Sequence, residues 1–236
     1  MKRRGFTLIE LMIVIAIIAV IAAIAIPGLL ASQRASNERN ASTSLKTLTA
    51  AEADFRSNDR DGNHVNDFWT ADVKGLYTMT SCAVKGALND TTDPAVKLIE
   101  LSIASADADP AVPTAGGENC NISTFAISSN KAGYWYNALA TDAGTTGMEA
   151  SYQQETGGIV TMGSVHNLWR FAFTCWPESM NSGKFIYLID ENNTIYRSAT
   201  TGSVRPSVNN PPGLIAAPYD TFPTSANLKS YWSKLD

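Results

Sequence analysis

Oxygen-bearing side chains recur at close spacing in the segment from 58 to 67, which reads NDRDGNHVND. Asp59, Asp61, Asn63 and Asp67 alternate as calcium ligands do, and the backbone carbonyl of Val65 could add another oxygen. The loop departs from an EF-hand, because its glycine is at the fourth place and no glutamate is at the twelfth. A tight Asp-Gly turn without an ion fits the same residues. A calcium site and a plain turn therefore remain open.

No set of side chains in the sequence is typical of a catalytic site. His64 lies in the polar loop and His166 lies beside an apolar strand, so we expect each to be solvated or hydrogen-bonded, and neither to be a ligand or a base. No GxSxG, HExxH or phosphate-loop motif occurs. The sequence therefore predicts a protein that is not an enzyme.

The three cysteines are Cys82, Cys120 and Cys175. One disulfide is plausible in an exported domain, and three single pairings are open. We favour Cys82 with Cys120, because the segment 171–176 (FAFTCW) reads as a core strand in which Cys175 would be an inert packing residue.

A long apolar run dominates the start of the chain. Residues 11–31 contain no charged side chain, and as a helix they would span about 30 Å, the thickness of a hydrocarbon core. The basic cluster at residues 2–4 predicts that the N-terminus stays in the cytoplasm. The run is too long for an ordinary cleaved signal, so we expect it to be retained.

Glu10 lies at the entrance of this run. A carboxylate in lipid costs about 2.5–3.5 kcal/mol unless it is paired, so Glu10 is a candidate functional residue. The alternative is that it sits at the level of the lipid headgroups.

The segment from Gly5 to Glu10 reads GFTLIE, follows a short basic leader and precedes the apolar run. This pattern resembles the class III signal of type IV prepilins and type II secretion pseudopilins. Pro27 also stands where pilins of this family carry a proline. The resemblance covers about residues 1–56.

The resemblance implies that a prepilin peptidase cuts between Gly5 and Phe6 and methylates the new amino terminus at Phe6. It also implies that Glu10 attracts the terminal amine of a neighbouring subunit and so fixes the axial register of a filament. Pro27 predicts a kink or a locally unwound stretch, and related pilins melt near this proline in the filament.

The expected fold is α+β, the type IV pilin fold, with a long N-terminal helix packed on an antiparallel sheet. We expect a leader at 1–5, a transmembrane and polymerisation helix at 6–31, its amphipathic half at 32–56 and a β-rich head at 57–236. The amphipathic half carries an apolar stripe, and a meander of strands is predicted between 168 and 197. The stripe is predicted at Ala41, Leu45, Leu48, Ala51 or Glu52, and Phe55, and the outer face at Arg34, Glu38, Arg39 and Lys46.

The favoured function is a structural subunit of a type IV pilus-like filament, serving adhesion, motility or DNA uptake. A type II secretion pseudopilin is the alternative, and a membrane-tethered binding protein that never polymerises is a third. The expected partners are further copies of the chain, the peptidase/methyltransferase, an inner-membrane assembly platform and lipid. The net charge of −4 gives no reason to require nucleic acid. The chain would be an inner-membrane protein before assembly and part of an extracellular pilus, or a periplasmic pseudopilus, afterwards.

Overall fold

The structure is a computed structural model that describes residues 6–62, 65–82, 95–108, 120–122, 128–142, 144, 150–152, 166–200 and 221–235. At 80–82, 120–122 and 150 it describes the backbone alone. Gly5, Asn63 and His64 lie outside the described residues.

One helix, α1 (Leu8–Ser57), makes up the N-terminal quarter of the chain. Thr7 caps its first turn and Asn58 caps its last, donating a backbone N–H to the carbonyl of Asp54. The helix continues through Pro27 without a break. The unwound stretch predicted at this proline is therefore not present in the single chain, although its ring still removes one helical hydrogen bond.

The head contains short elements joined by turns. In chain order they are β1 (Phe68–Trp69), α2 (Gly75–Thr78), β2 (Met79–Cys82), α3 (Leu101–Ala104), β3 (Cys120–Ile122), β4 (Tyr134–Ala138), β5 (Thr141–Asp142), β6 (Ala150–Ser151), β7 (His166–Asn167), β8 (Ala172–Pro177), β9 (Phe185–Asp190), β10 (Ile195–Ala199), β11 (Thr221–Phe222), α4 (Ser225–Tyr231) and β12 (Ser233–Leu235).

The main sheet has the strand order β12-β10-β9-β8-β4, and every neighbouring pair is antiparallel. Its centre is the predicted meander. The turn after β9 is closed by Asp190, whose side chain accepts backbone N–H groups of Asn192 and Thr194, and Asn193 takes a left-handed backbone conformation with φ of 57°. The α+β, type IV pilin-like fold class is confirmed.

The core forms where the second half of α1 lies on the main sheet. The predicted stripe is buried and is wider than expected, because Ser44 and both alternatives, Ala51 and Glu52, are buried on it. Facing it are the apolar side chains of the sheet, among them Tyr136, Phe173 and Ile189. Burying such side chains is worth about 1.5–3 kcal/mol each, which holds helix and sheet together.

Polar contacts add a second attachment at the lower edge of the head. Arg34 donates to the backbone and side-chain oxygens of Asn181, and Asn37 donates to the carbonyl of Ser182. Glu38 accepts the backbone N–H of Lys184 at 2.8 Å. The placement of Arg34 and Glu38 on the outer face was therefore wrong, because both reach the β8–β9 turn. We call the contacts of Arg34, Asn37 and Glu38 with this turn the clamp. Arg39 and Lys46 are exposed as expected.

Candidate assembly site

The first half of α1 is an exposed apolar rod. From Phe6 to Leu30 every large apolar side chain is at least 41% exposed, and the described head covers none of them. This helix is long and apolar enough to cross a membrane, a property that signal sequences near an N-terminus share. Contiguous apolar surface of this extent marks a membrane or protein contact.

Thr7 and Glu10 form a capping box at the start of the rod. The Thr7 hydroxyl oxygen accepts the backbone N–H of Glu10 at 3.3 Å. In return, Glu10 Oε2 accepts the backbone N–H of Thr7 at 2.9 Å and its hydroxyl at 2.7 Å. The helix thus begins with satisfied donors and a negative charge in its first turn, where the helix dipole favours it.

The other predicted assembly residues lie at the two ends of the rod. Phe6 precedes the helix and is 86% exposed, so the terminus that cleavage after Gly5 would create is accessible. Pro27 lies near the other end of the rod, and a Cβ added at the adjacent Gly28 would meet nothing within 4 Å. The roles of Gly5, Phe6, Glu10 and Pro27 stay predictions.

The sequence-predicted calcium ligands are only partly brought together. Asp61 and Asp67 are buried and lie beside His166, with one ligand atom from each residue within 4.8 Å of the others. Asp59 is half-buried and does not belong to this group of three. Calcium binding stays a prediction.

His166 is the site residue that sequence analysis missed. It was expected to be solvated or hydrogen-bonded, but β7 pairs with β1 so that His166 lies opposite Trp69, next to the loop that carries Asp61. About a hundred residues separate the two segments, and no local pattern reports a two-residue strand pair. The one sequence signal that pointed to burial of His166 was its position beside an apolar strand.

Glu52 is a second residue whose position was unexpected. It is fully buried on α1, and its Oε2 accepts the backbone N–H of Trp69 at 3.0 Å. Burial raises the pKa of Glu52 well above its usual range, and the nearby charge of Asp67 acts in the same direction. Its hydrogen bond therefore ties the stripe of α1 to β1.

The backbone places Cys82 directly opposite Cys120 in the antiparallel pair of β2 and β3. Opposed residues in such a pair have Cα atoms about 4.5–5.5 Å apart, which a disulfide can bridge. Cys175 is a free cysteine buried in β8, and burial raises the pKa of its thiol. The Cys82–Cys120 pairing stays a prediction that this register favours.

Comparison with known proteins finds a known motif in the N-terminal segment. A model of the prokaryotic N-terminal methylation motif matches residues 1–26. The chain has a type IV pilin-like N-terminus. The motif and the long helix on an antiparallel sheet are both features that this chain shares with type IV pilins.

One relative carries the likeness beyond the motif. The type IV major pilin protein PilA of Myxococcus xanthus (strain DK1622) is 41% identical over 75 residues, which cover 31% of this chain and 34% of that protein. The match thus spans about a third of the relative's length. No solved structure matches this chain.

Proposed function

We propose that this protein is a structural subunit of a type IV pilus-like filament and assembles through the first half of α1. One observation carries the proposal: an apolar rod of about 25 residues projects from a head that is firmly attached to the other half of the same helix. The likeness to a major pilin supports it.

The rod must have partners. Its apolar side chains run from Phe6 to Leu30, and leaving them in water would cost on the order of tens of kcal/mol. Lipid satisfies them before assembly, and the rods of other subunits satisfy them in the filament. Small residues such as Ala16, Ala19 and Ala23 let such helices approach closely where lipid gives no hydrophobic drive.

Glu10 fixes the register between rods. Its capping bonds involve Oε2, which leaves the carboxylate oriented at the end of the rod and able to meet the methylated amine of Phe6 from the next subunit. Two charges that are each costly in lipid then neutralise one another in one axial position. The capping box offers a competing role for Glu10, in which it only stabilises the start of the helix.

A pair of substitutions separates the two roles. Glu10→Gln keeps a side chain that can complete the capping box but removes the charge. Thr7→Ala removes the cap, at a cost of about 1 kcal/mol, and keeps the charge. We expect Glu10→Gln to abolish filaments while the protein stays in the membrane, and Thr7→Ala to retain them.

The readout is the amount of subunit in sheared filaments relative to the membrane fraction. Normal filaments from Glu10→Gln together with loss in Thr7→Ala would assign Glu10 to helix capping alone. Normal filaments from both variants would show that Glu10 does not fix the register between subunits.

Processing by a prepilin peptidase/methyltransferase and assembly on an inner-membrane platform belong to the same proposal, as does the orientation with a cytoplasmic N-terminus. Mass spectrometry of the mature chain tests the first of these, with a methylated Phe6 terminus expected. A terminus at Met1 or near Ala31 would contradict it. Subunit in sheared surface fibres favours a pilus; retention in the envelope with an export defect on deletion favours a pseudopilus.

A further inference from the structure

A buried cluster of ligand-type side chains lies at the top of the head, away from the assembly rod. Asp61 comes from the turn after α1, Asp67 immediately precedes β1, and His166 opens β7. Their side chains are at most 1% exposed. We propose that Asp61, Asp67 and His166 bind a divalent transition-metal ion, with zinc the first choice.

The imidazole of His166 provides the independent observation. It is completely buried, yet neither ring nitrogen makes a hydrogen bond. Nε2 lies 3.1 Å from Asp61 Oδ2, so the ring points into the cluster, and this contact is an ion pair only when the imidazole is protonated. Buried polar atoms nearly always have a partner. A ring nitrogen directed at a carboxylate oxygen without bonding it is the arrangement of two ligands of one ion.

The one close distance in the cluster suits a small ion. With metal–ligand bonds of 2.0–2.2 Å, the ligands of a tetrahedral zinc site lie about 3.3–3.6 Å from one another. Nε2 and Oδ2 are 3.1 Å apart, slightly closer than this, and the three ligand atoms all lie within 4.8 Å of one another. Calcium takes six to eight oxygen ligands at longer distances, whereas imidazole with carboxylate suits zinc and similar ions. The acidic loop alone suggests calcium, and the addition of His166 to the ligand set favours zinc instead.

The surroundings support a closed site. The rings of Phe55 and Trp69 lie 6.4 and 5.3 Å from the imidazole, centre to centre, and shield it from water. Glu52 lies on the α1 side, and its Oε1 is buried without a hydrogen bond. Glu52 Oε2 holds the backbone of Trp69, so Glu52 is a positioning residue for the strand that faces His166.

An ion here would join the end of α1 to β7. The loop after α1 would then be fixed to a strand that is distant in sequence. Because an ion that binds only the folded head stabilises it by mass action, a hundredfold excess of zinc over its Kd should raise the thermal midpoint by roughly 5–10 °C.

The test uses the full-length chain in detergent, stripped with a chelator and reloaded separately with Zn²⁺, Mn²⁺ or Ca²⁺. Metal content per chain and the thermal midpoint are measured. We expect one zinc per chain and a raised midpoint. Titration of the unmutated chain with Co²⁺ should give the intense visible bands of a four-coordinate site. This measurement does not depend on the folding of any variant.

His166→Gln and Asp61→Asn should lose the zinc and its effect on the midpoint. Asp107→Asn is the matched control: Asp107 is also a buried carboxylate, but it accepts the backbone N–H groups of Val73 and Lys74 instead of lying in the cluster. It should melt earlier and still bind one zinc.

Three outcomes would overturn the inference. Failure of the unmutated chain to bind any of the ions would make the cluster a buried His–Asp pair. Zinc retained by His166→Gln would place the ion elsewhere. Calcium bound equally by the unmutated chain and His166→Gln would assign the loop to calcium and exclude His166 from the site.

Discussion

The two halves of α1 share one backbone conformation and have opposite surroundings. From Leu8 to Leu30 the large apolar side chains are exposed on all sides, whereas from Ala41 to Phe55 one stripe is buried against the sheet. The first half is apolar all round and the second only on one face, which is the difference between a helix surrounded by apolar partners and one at the surface of a domain. The stability of the head and the assembly of the filament should therefore respond to different halves.

Leu48→Ala and Leu29→Ala give the largest contrast. Leu48 is fully buried in the core, so its truncation should cost about 2–5 kcal/mol of head stability. Leu29 is 70% exposed on the rod, and the same truncation should leave head stability unchanged. The measurement is the near-UV thermal midpoint of the full chain in detergent. Equal losses in both variants would show that the rod contributes to the folding of the head.

A lysine in each half gives an effect of intermediate size. At Ile17 it should cost about 3 kcal/mol among apolar partners, or roughly a hundredfold in filament yield. Membrane integration should survive, because the remaining apolar residues outweigh one charge. The same change at Thr43, which is exposed beside the head, should leave the yield unchanged. Filament yield is read from sheared fibres, and normal fibres from Ile17→Lys would place this part of the rod outside the subunit contacts.

Arg34→Ala tests the clamp and should have the smallest effect. Its contacts with Asn181 are exposed, so their loss should cost less than about 1 kcal/mol and lower the midpoint by at most 2–4 °C. Faster hydrogen exchange in the β8–β9 turn should accompany it. Arg39→Ala is the matched control, because Arg39 is exposed on the same helix. Identical exchange in the two variants would show that the clamp does not order the turn.

Local signals predicted the elements that depend on local pattern. The extent of α1 follows from its apolar run and its stripe, and β8, β9 and β10 follow from apolar segments joined by a polar turn. The last strand was missed: β12 is formed by Ser233–Leu235, which has no apolar alternation and is a strand only because it pairs with β10.

The candidate sites also divide into one that local sequence predicts and one that depends on distant contacts. The N-terminal motif is contiguous, so it could be found from residues 5–10 alone. The cluster of Asp61, Asp67 and His166 depends on the pairing of β1 with β7, a contact over about a hundred residues. Glu52 was considered as a stripe residue, but only the fold shows that its carboxyl is buried beside that cluster.

The clamp sets how high the head stands above a bilayer. Below Arg34 the helix extends about 39 Å, at 1.5 Å per residue, whereas the hydrocarbon layer is about 30 Å thick and each headgroup zone adds about 5–7 Å. An upright subunit would therefore rest the β8–β9 turn on the outer headgroups. In the proposed filament assembly, extraction of a subunit would then begin with separation of this turn, with its exposed Met180, from the lipid surface.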